Sequence, residues 1–320
     1  MLVLMNDNVM VQNRLNQNKK NSVIRSDLKR NWSLYLMTVP GLLFYIIFAY
    51  GPMYGALIAF KDFSPGLGFW ESPWVGFSHF KAFFSSPDCM RLIFNTLKIS
   101  ITTLIFGFPA PIIFAILINE MGQGKFKRLT QTISYMPHFI SLVVICGLVK
   151  NFVATDGLIT NLVGIFTGDT TNLLTKGEWF VPVYVASGIW QNIGWNSIIY
   201  LAALSGIDGC LYESAQLDGA GRFKQIIHIT IPGILPTIIT LLILNVGSLL
   251  SVGFEKIILL YNELIYNQSD TISTYVYRIG FQGQQWSYTT AIGLFNSFAN
   301  LILLAVANAV SKKVTDSSLW

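Results

Sequence analysis

The chain has 320 residues, of which 52% are hydrophobic and 12% charged, and its mean hydropathy is +0.53. Soluble domains carry about 25% charged residues, so the composition places this chain in a membrane. The net charge of +5 is not a nucleic-acid signature, because the basic residues follow the membrane charge rule set out below. Cys89, Cys146 and Cys210 are widely spaced, with no Cys-x-x-Cys pair or neighbouring His, and imply neither a disulfide framework nor a metal site.

Residues 1–33 are polar and carry Arg14, Lys19, Lys20, Arg25, Lys29 and Arg30. No small-residue cleavage site follows the first apolar run, so a cleavable signal peptide is not expected, and 1–33 reads as a cytoplasmic arm. Six apolar stretches come next, at about 34–57, 92–118, 133–153, 180–205, 232–254 and 289–310, each long enough to cross about 30 Å of hydrocarbon as a helix. The expected fold class is therefore all-α, a polytopic membrane protein with six transmembrane helices. Pro137 and His138 interrupt the start of the third stretch. Pro109, Pro111 and Pro236 predict bends that neighbouring helices accommodate.

With the N-terminus inside, the inner segments (1–33, 119–132, 206–231, 311–320) hold 13 Lys and Arg residues, against seven in the outer ones. The bias puts both termini in the cytoplasm. The outer connections are rich in Trp, Phe and Tyr. Trp70, Trp74, Phe77 and Phe80 suit an interfacial belt, and the stretch from Ile257 to Trp286 suits re-entrant or surface helices.

Between the fourth and fifth stretches lies a patterned polar island, 207–231. Asp208 is placed to cap a short helix with Leu211 and Ala215 on one face, and Asp218-Gly219 to end it, because glycine accepts the left-handed geometry that closes a helix. Pro232 suits the first turn of the next long helix. Ser214, Ala215, Gly219, Ala220 and Gly221 let the backbone lie close to another surface, and Glu213 and Arg222 offer charges to hold it there. A plain solvated loop is the competing reading.

The island resembles the Glu-Ala-Ala loop of permease subunits from binding-protein-dependent ABC importers. That pattern runs Glu-Ala-Ala, three residues, Gly, nine residues, Ile-x-Leu-Pro. Here it reads Glu213-Ser214-Ala215, Gly219 and Ile229-Thr230-Ile231-Pro232, with every spacing kept and two conservative departures, Ser214 and Ile231. The stretch from Phe254 through Lys313, with Leu294-Phe295-Asn296-Ser297, is similar to oligosaccharide permeases of the lipo-oligosaccharide and polyuronide branch, alginate-type importers included. The resemblance spans most of residues 30–313. It implies a type I ABC importer permease fold over 34–310, a short cytoplasmic tail at 311–320, and ATPase coupling through Glu213, Ser214, Ala215, Asp218, Gly219 and Arg222. It also implies a second permease subunit, two ABC ATPase subunits, an extracytoplasmic solute-binding protein and an alginate- or pectin-derived oligosaccharide, in a bacterial inner membrane. ATP and Mg²⁺ would sit on the ATPase partners, leaving this chain without a cofactor of its own.

The residues carry no competing chemistry. Gly122-Gln123-Gly124-Lys125-Phe126 lacks the first glycine of a phosphate loop and has Phe126 where Ser or Thr would hold Mg²⁺. His79, His138 and His228 are isolated. An ion-coupled secondary sugar carrier, the alternative, would need carboxylates at mid-membrane, and Glu120 and Glu255 lie at span ends.

Polar residues inside spans are the remaining clue, since hydrocarbon tolerates them only against a cavity or another helix. Gln191, Asn192, Trp195 and Asn196 form the richest run, with Asn192 and Asn196 on one helical face and Gln191 and Trp195 on the adjacent one. Asn245 with Ser248, and Asn296 with Asn300, repeat the spacing. Such walls suit sugars, amides for hydroxyls and indoles for pyranose faces. Interhelical hydrogen bonding, worth about 0.6 kcal/mol per contact, accounts for any single one of them equally well. For Asn192, Trp195 and Asn196 together, the grouping favours a substrate pathway.

Overall fold

The computed structural model describes Asp27, residues 30–122 and residues 124–315, with side chains as far as Lys313. Most of the expected N-terminal arm lies outside these residues. Among the described residues every named element is helical, and the extended pairing of Lys61 with Trp74 is an isolated bridge.

All six apolar stretches are mainly helical, but the fifth leaves the helix at Gly247, short of the expected 254. Four of them pass as spans on length and apolarity together: α1 (Trp32–Phe60), α3 (Pro87–Glu120), α9 (Arg222–Gly247) and α12 (Trp286–Thr315). Here α2 is Ser78–Ser85, which precedes α3. The shortest of the four, α9, has 26 residues, about 39 Å at about 1.5 Å per residue. The third stretch is broken. Helices α4 (Lys125–Phe139) and α5 (Leu142–Phe152) meet at 101°, where Pro137 ends the first and Ser141 caps the second through Val144 N–H. The next long helices are α6 (Leu158–Thr167) and α7 (Gly177–Ser205). The 29 residues of α7 are long enough to span, but Gln191, Asn192 and Asn196 dilute its apolarity. Six spans are therefore reached only by counting α4–α5 as one and adding α7. The last helix runs through Thr315, so the expected tail boundary at 310 falls inside it.

Three of the four π turns share a cause. They cover Tyr45–Tyr50, Thr103–Gly107 and Ile226–Thr230, just ahead of Pro52, Pro109 and Pro232. A helical proline lacks the N–H that would bond four residues back, and its ring collides with that carbonyl. Widening the turn moves the carbonyl aside and lets the helix continue. Pro232 sits in the first turn of the regular α-helical run Ile231–Gly247, as expected, and the short helix Arg222–Gln225 and the π turn join that run without a break to make α9.

The chain divides between Leu57 and Ile58 into two compact units. In the first, Asp27 accepts Asn31 Nδ2 at 2.6 Å and the Tyr35 hydroxyl at 2.7 Å just ahead of α1, and no side chain from Trp32 to Leu57 is buried.

In the second unit α7 is the central element. Its first half, Phe180 to Val185, joins Ile99, Ile145, Val149, Ile257 and Leu260 in one core. Its second half, Tyr200 and Leu204, joins Ala115, Ile116 and Ile234 in another. Because lipid is as apolar as leucine, close packing rather than water exclusion holds these helices together. Gly194 shows how close: a Cβ there would collide with the Ser134 carbonyl of α4.

The stretch after α9 folds back as α10 (Phe254–Leu260) and α11 (Ile272–Tyr277), the latter opened by a Thr271–Thr274 capping box. A third core, with Leu92, Ile272 and Ile292, fastens it to α3 and α12. Asn95 donates to the Asn267 and Asp270 carbonyls at 2.9 and 3.0 Å. Asp270, fully buried, pairs with Arg278 and accepts the Thr274 hydroxyl at 2.8 Å. Burial pushes its carboxyl above the usual range, and these partners act against that shift.

Candidate functional site

Two features stand out: a polar-walled cavity among α3, α7 and α9, and the exposed segment 207–231.

The cavity holds about 490 Å³, within the roughly 300–1,000 Å³ of ligand sites. One wall is a face of α7 at four-residue steps: Tyr184, Gly188, Asn192, Asn196 and Tyr200. Helix α3 contributes Ser100, Thr103 and Gly107, and α9 contributes Leu241 and Asn245. The chain leaving α9 supplies Ser248, Ser251 and Lys256. That stretch is irregular, and its backbone is satisfied by side chains, as apolar surroundings require. The Asn300 side chain accepts Leu250 N–H at 2.9 Å and donates to Ser251 Oγ at 2.9 Å, while the Ser100 hydroxyl donates to the Leu249 carbonyl.

The residues singled out from the sequence thus separate. Asn192, Asn196, Asn245 and Ser248 line the cavity. Gln191 and Trp195 do not. Gln191 is buried, and Trp195 stacks on His138 at 4.5 Å and meets the edge of Phe139 at 5.4 Å, clamping α7 to the end of α4. His138 Nδ1 in turn lies 3.0 Å from Asn192 Oδ1. Asn300 supports the irregular backbone. Asn296 lines a separate apolar pocket with Phe254, Tyr277 and Phe281, its Oδ1 buried without a partner.

Lys256 was not foreseen. It lies beyond the end of α9 and counts in sequence as a charge of an outer connection, yet it is 8% exposed on the cavity wall. Its Nζ donates to the Tyr184 carbonyl at 2.9 Å and sits 4.8 Å from the centre of the Tyr184 ring. Burial pushes the ammonium down to about 8. Lys98, within α3, is exposed and stands off the cavity.

In the segment 207–231, Asp208 caps α8 (Gly209–Leu217) through Cys210 N–H at 3.0 Å. A Schellman closure ends α8: Gly219 N–H reaches Gln216 O at 3.0 Å and Ala220 N–H reaches Ala215 O at 2.8 Å, with Gly219 at φ +76°. Gln225 Nε2 donates to the Ala220 carbonyl at 2.7 Å, and the Tyr212 hydroxyl lies 3.0 Å from Thr230 Oγ1, so the segment is braced against the start of α9. Its other face is open. Leu217 is 90% and Phe223 75% exposed, and Glu213, Ser214, Asp218 and Arg222 of the same segment are exposed as well. Glu213 and Arg222 form no ion pair among the described residues. A segment with large exposed apolar side chains and charges unpaired among the described residues has the composition of a docking surface.

Residues 107–316 match the family described as binding-protein-dependent transport system inner membrane component. The chain belongs to this family. Protein LplB of Bacillus subtilis (strain 168) is 47% identical to this permease over 294 residues, 92% of each chain. The polygalacturonan/rhamnogalacturonan transport system permease protein YteP of the same organism is 42% identical over 288 residues, 90% of each. A chain of the bacterial alginate ABC transporter, crystallised in complex with an alginate pentasaccharide-bound periplasmic protein, superposes with a TM-score of 0.84 at 43% identity, covering 92% of the permease and 99% of that chain.

Proposed function

We propose that this permease forms half of the membrane pathway of an ATP-driven importer for uronic-acid oligosaccharides. The observation that carries the reading is the cavity wall on α7, where Asn192 and Asn196 face Asn245 and Ser248 across a space of about 490 Å³. Amides and hydroxyls on such a wall exchange hydrogen bonds with sugar hydroxyls that have left water. The acidic class is supported by the relatives that carry polygalacturonan and alginate. A second permease chain closes the pathway, and a solute-binding protein delivers the sugar. Two ABC ATPases, holding ATP and Mg²⁺, receive the 207–231 loops of the two permeases. Through Glu213, Asp218, Arg222 and the apolar Leu217 and Phe223, closure of the ATPases reaches α9 and switches the cavity between its two openings.

Asn196→Leu with Asn245→Leu tests the wall, since the Asn196 side chain makes no described hydrogen bond and Asn245 bonds only within its own helix. Uptake of an oligogalacturonide by the reconstituted transporter is expected to fall to about a tenth or less, the loss of two hydrogen bonds to a desolvated ligand, with insertion unchanged. Wild-type kinetics would remove the cavity from the route.

We further propose, from the charge bias, that both termini and the 207–231 loop lie in the cytoplasm of a bacterium. In a cysteine-free background, Cys at Thr170 is expected to react with an impermeant thiol reagent in intact cells, and Cys at Gly221 only after the membrane is opened. The reverse pattern, or labelling of both from outside, would overturn the orientation.

A further inference from the structure

We propose that Lys256 is the specificity-determining residue for the substrate's charge: its ammonium takes the carboxylate of each uronate that enters the cavity. The inference rests on the pathway reading above and adds to it the chemical group that is selected.

Lys256 is the one charged side chain among the described residues lining the cavity. It is more than nine-tenths buried, yet no carboxylate pairs with it among the described residues, whereas the partly buried Arg91, Lys176 and Arg278 are paired with Asp88, Asp169 and Asp270. An ammonium carries three N–H donors, and one of them goes to the Tyr184 carbonyl. A desolvated cation without a counter-ion is unfavourable unless something supplies the opposite charge. Here the polar cavity is where that charge would arrive.

The surroundings keep the ammonium accessible. Gly188 faces it from α7, where a Cβ would come within 3.1 Å of Nζ, and a Cβ at Gly253 would come within 2.9 Å of the Tyr184 hydroxyl. Two missing side chains thus leave room beside the Lys256–Tyr184 pair, in a cavity whose lining also includes Asn192 and Ser251. A uronate placed there would give its carboxylate to Nζ and its ring hydroxyls to the amides. A neutral hexose would leave the ammonium without a counter-ion, so charge is selected by what the site lacks.

The test is binding of a galacturonate trimer and of its carboxyl-reduced galactose trimer to the complete transporter in the absence of solute-binding protein, read by ligand-observed NMR. Lys256→Gln keeps an N–H donor for the Tyr184 carbonyl and removes the charge. It is expected to weaken binding of the acidic trimer by about 10- to 100-fold without weakening that of the neutral trimer, while Lys256→Arg retains the preference. Equal loss for both trimers in Lys256→Gln, or an unaltered preference, would overturn the role of Lys256 and leave the pathway reading intact. Wild-type protein that binds neither trimer would overturn the pathway reading, and this inference with it.

Discussion

Gly219→Val is expected to reduce oligosaccharide-stimulated ATP hydrolysis and uptake to a few per cent of wild type in the reconstituted transporter. Gly219 holds φ +76° at the close of α8, with two backbone hydrogen bonds made through that conformation. A residue with a Cβ pays about 1–2 kcal/mol there, and β-branching adds to it. No atom crowds the position within the chain, so the damage is conformational. The Schellman closure opens, Ala220 leaves Gln225, and the Leu217–Phe223 face loses its shape. Glu213→Ala tests the same surface without touching the turn. If Glu213 is buried against a cation of an ATPase, its removal leaves that charge unpaired, at a cost of about 3–5 kcal/mol, and docking weakens. Capture of sugar by the solute-binding protein is unaffected in both variants. Wild-type hydrolysis and uptake in both would reduce the 207–231 loop to a connection.

Gly194→Leu is expected to be the most damaging single change within the spans. The α7 backbone at Gly194 lies against the Ser134 carbonyl, with Ser134 Oγ close by, so any added carbon forces α4 away from α7. Overpacking costs about 1–3 kcal/mol even where side chains can move, and here backbone blocks the way. Separation also breaks the Trp195–His138 stack and the His138–Asn192 hydrogen bond. The expected result is loss of the assembled transporter from membranes, with the residual protein losing its fold in detergent at a markedly lower temperature. Gly194→Ala should show the same defect in weaker form. Normal yield and thermal stability for Gly194→Leu would mean that α4 and α7 are not packed this closely.

Local signals were readable in the sequence and distant ones were not. The cap at Asp208 and the stop at Gly219 depend on a few neighbouring residues, and the structure has both where the sequence placed them. Six helical stretches followed from apolar length alone. Pro232 is in the first turn of the run Ile231–Gly247 as its chemistry suggests, but the π turn that joins this run to the preceding short helix has no local signature in the sequence. The amides divided for a related reason. Asn192 and Asn300 look alike in sequence, but one lines a cavity and the other supports irregular backbone, and only the fold separates the two. The spacing of Tyr184, Gly188, Asn192, Asn196 and Tyr200 did contain the cavity face, though only its two amides draw attention on chemistry. Nothing local marks Lys256. It comes to the cavity because the chain turns back after Gly247, and the partners that stabilise this turn, Ser100 and Asn300, lie far away in sequence.

The wide turn ahead of Pro232 has a consequence for azimuth. A π turn takes in one residue more than an α turn, which rotates everything beyond it by about 100° relative to an uninterrupted helix. In α9 that rotation falls between the segment carrying Phe223 and the end carrying Leu241 and Asn245. The direction in which those residues point is therefore phased by a proline at the opposite end of the helix. An axial push at the exposed end travels along α9 as a rigid displacement, but loss of the π turn to a regular α turn would swing the Asn245 face around the axis. One helix can thus turn a thrust into a rotation, with Pro232 as its fixed mark.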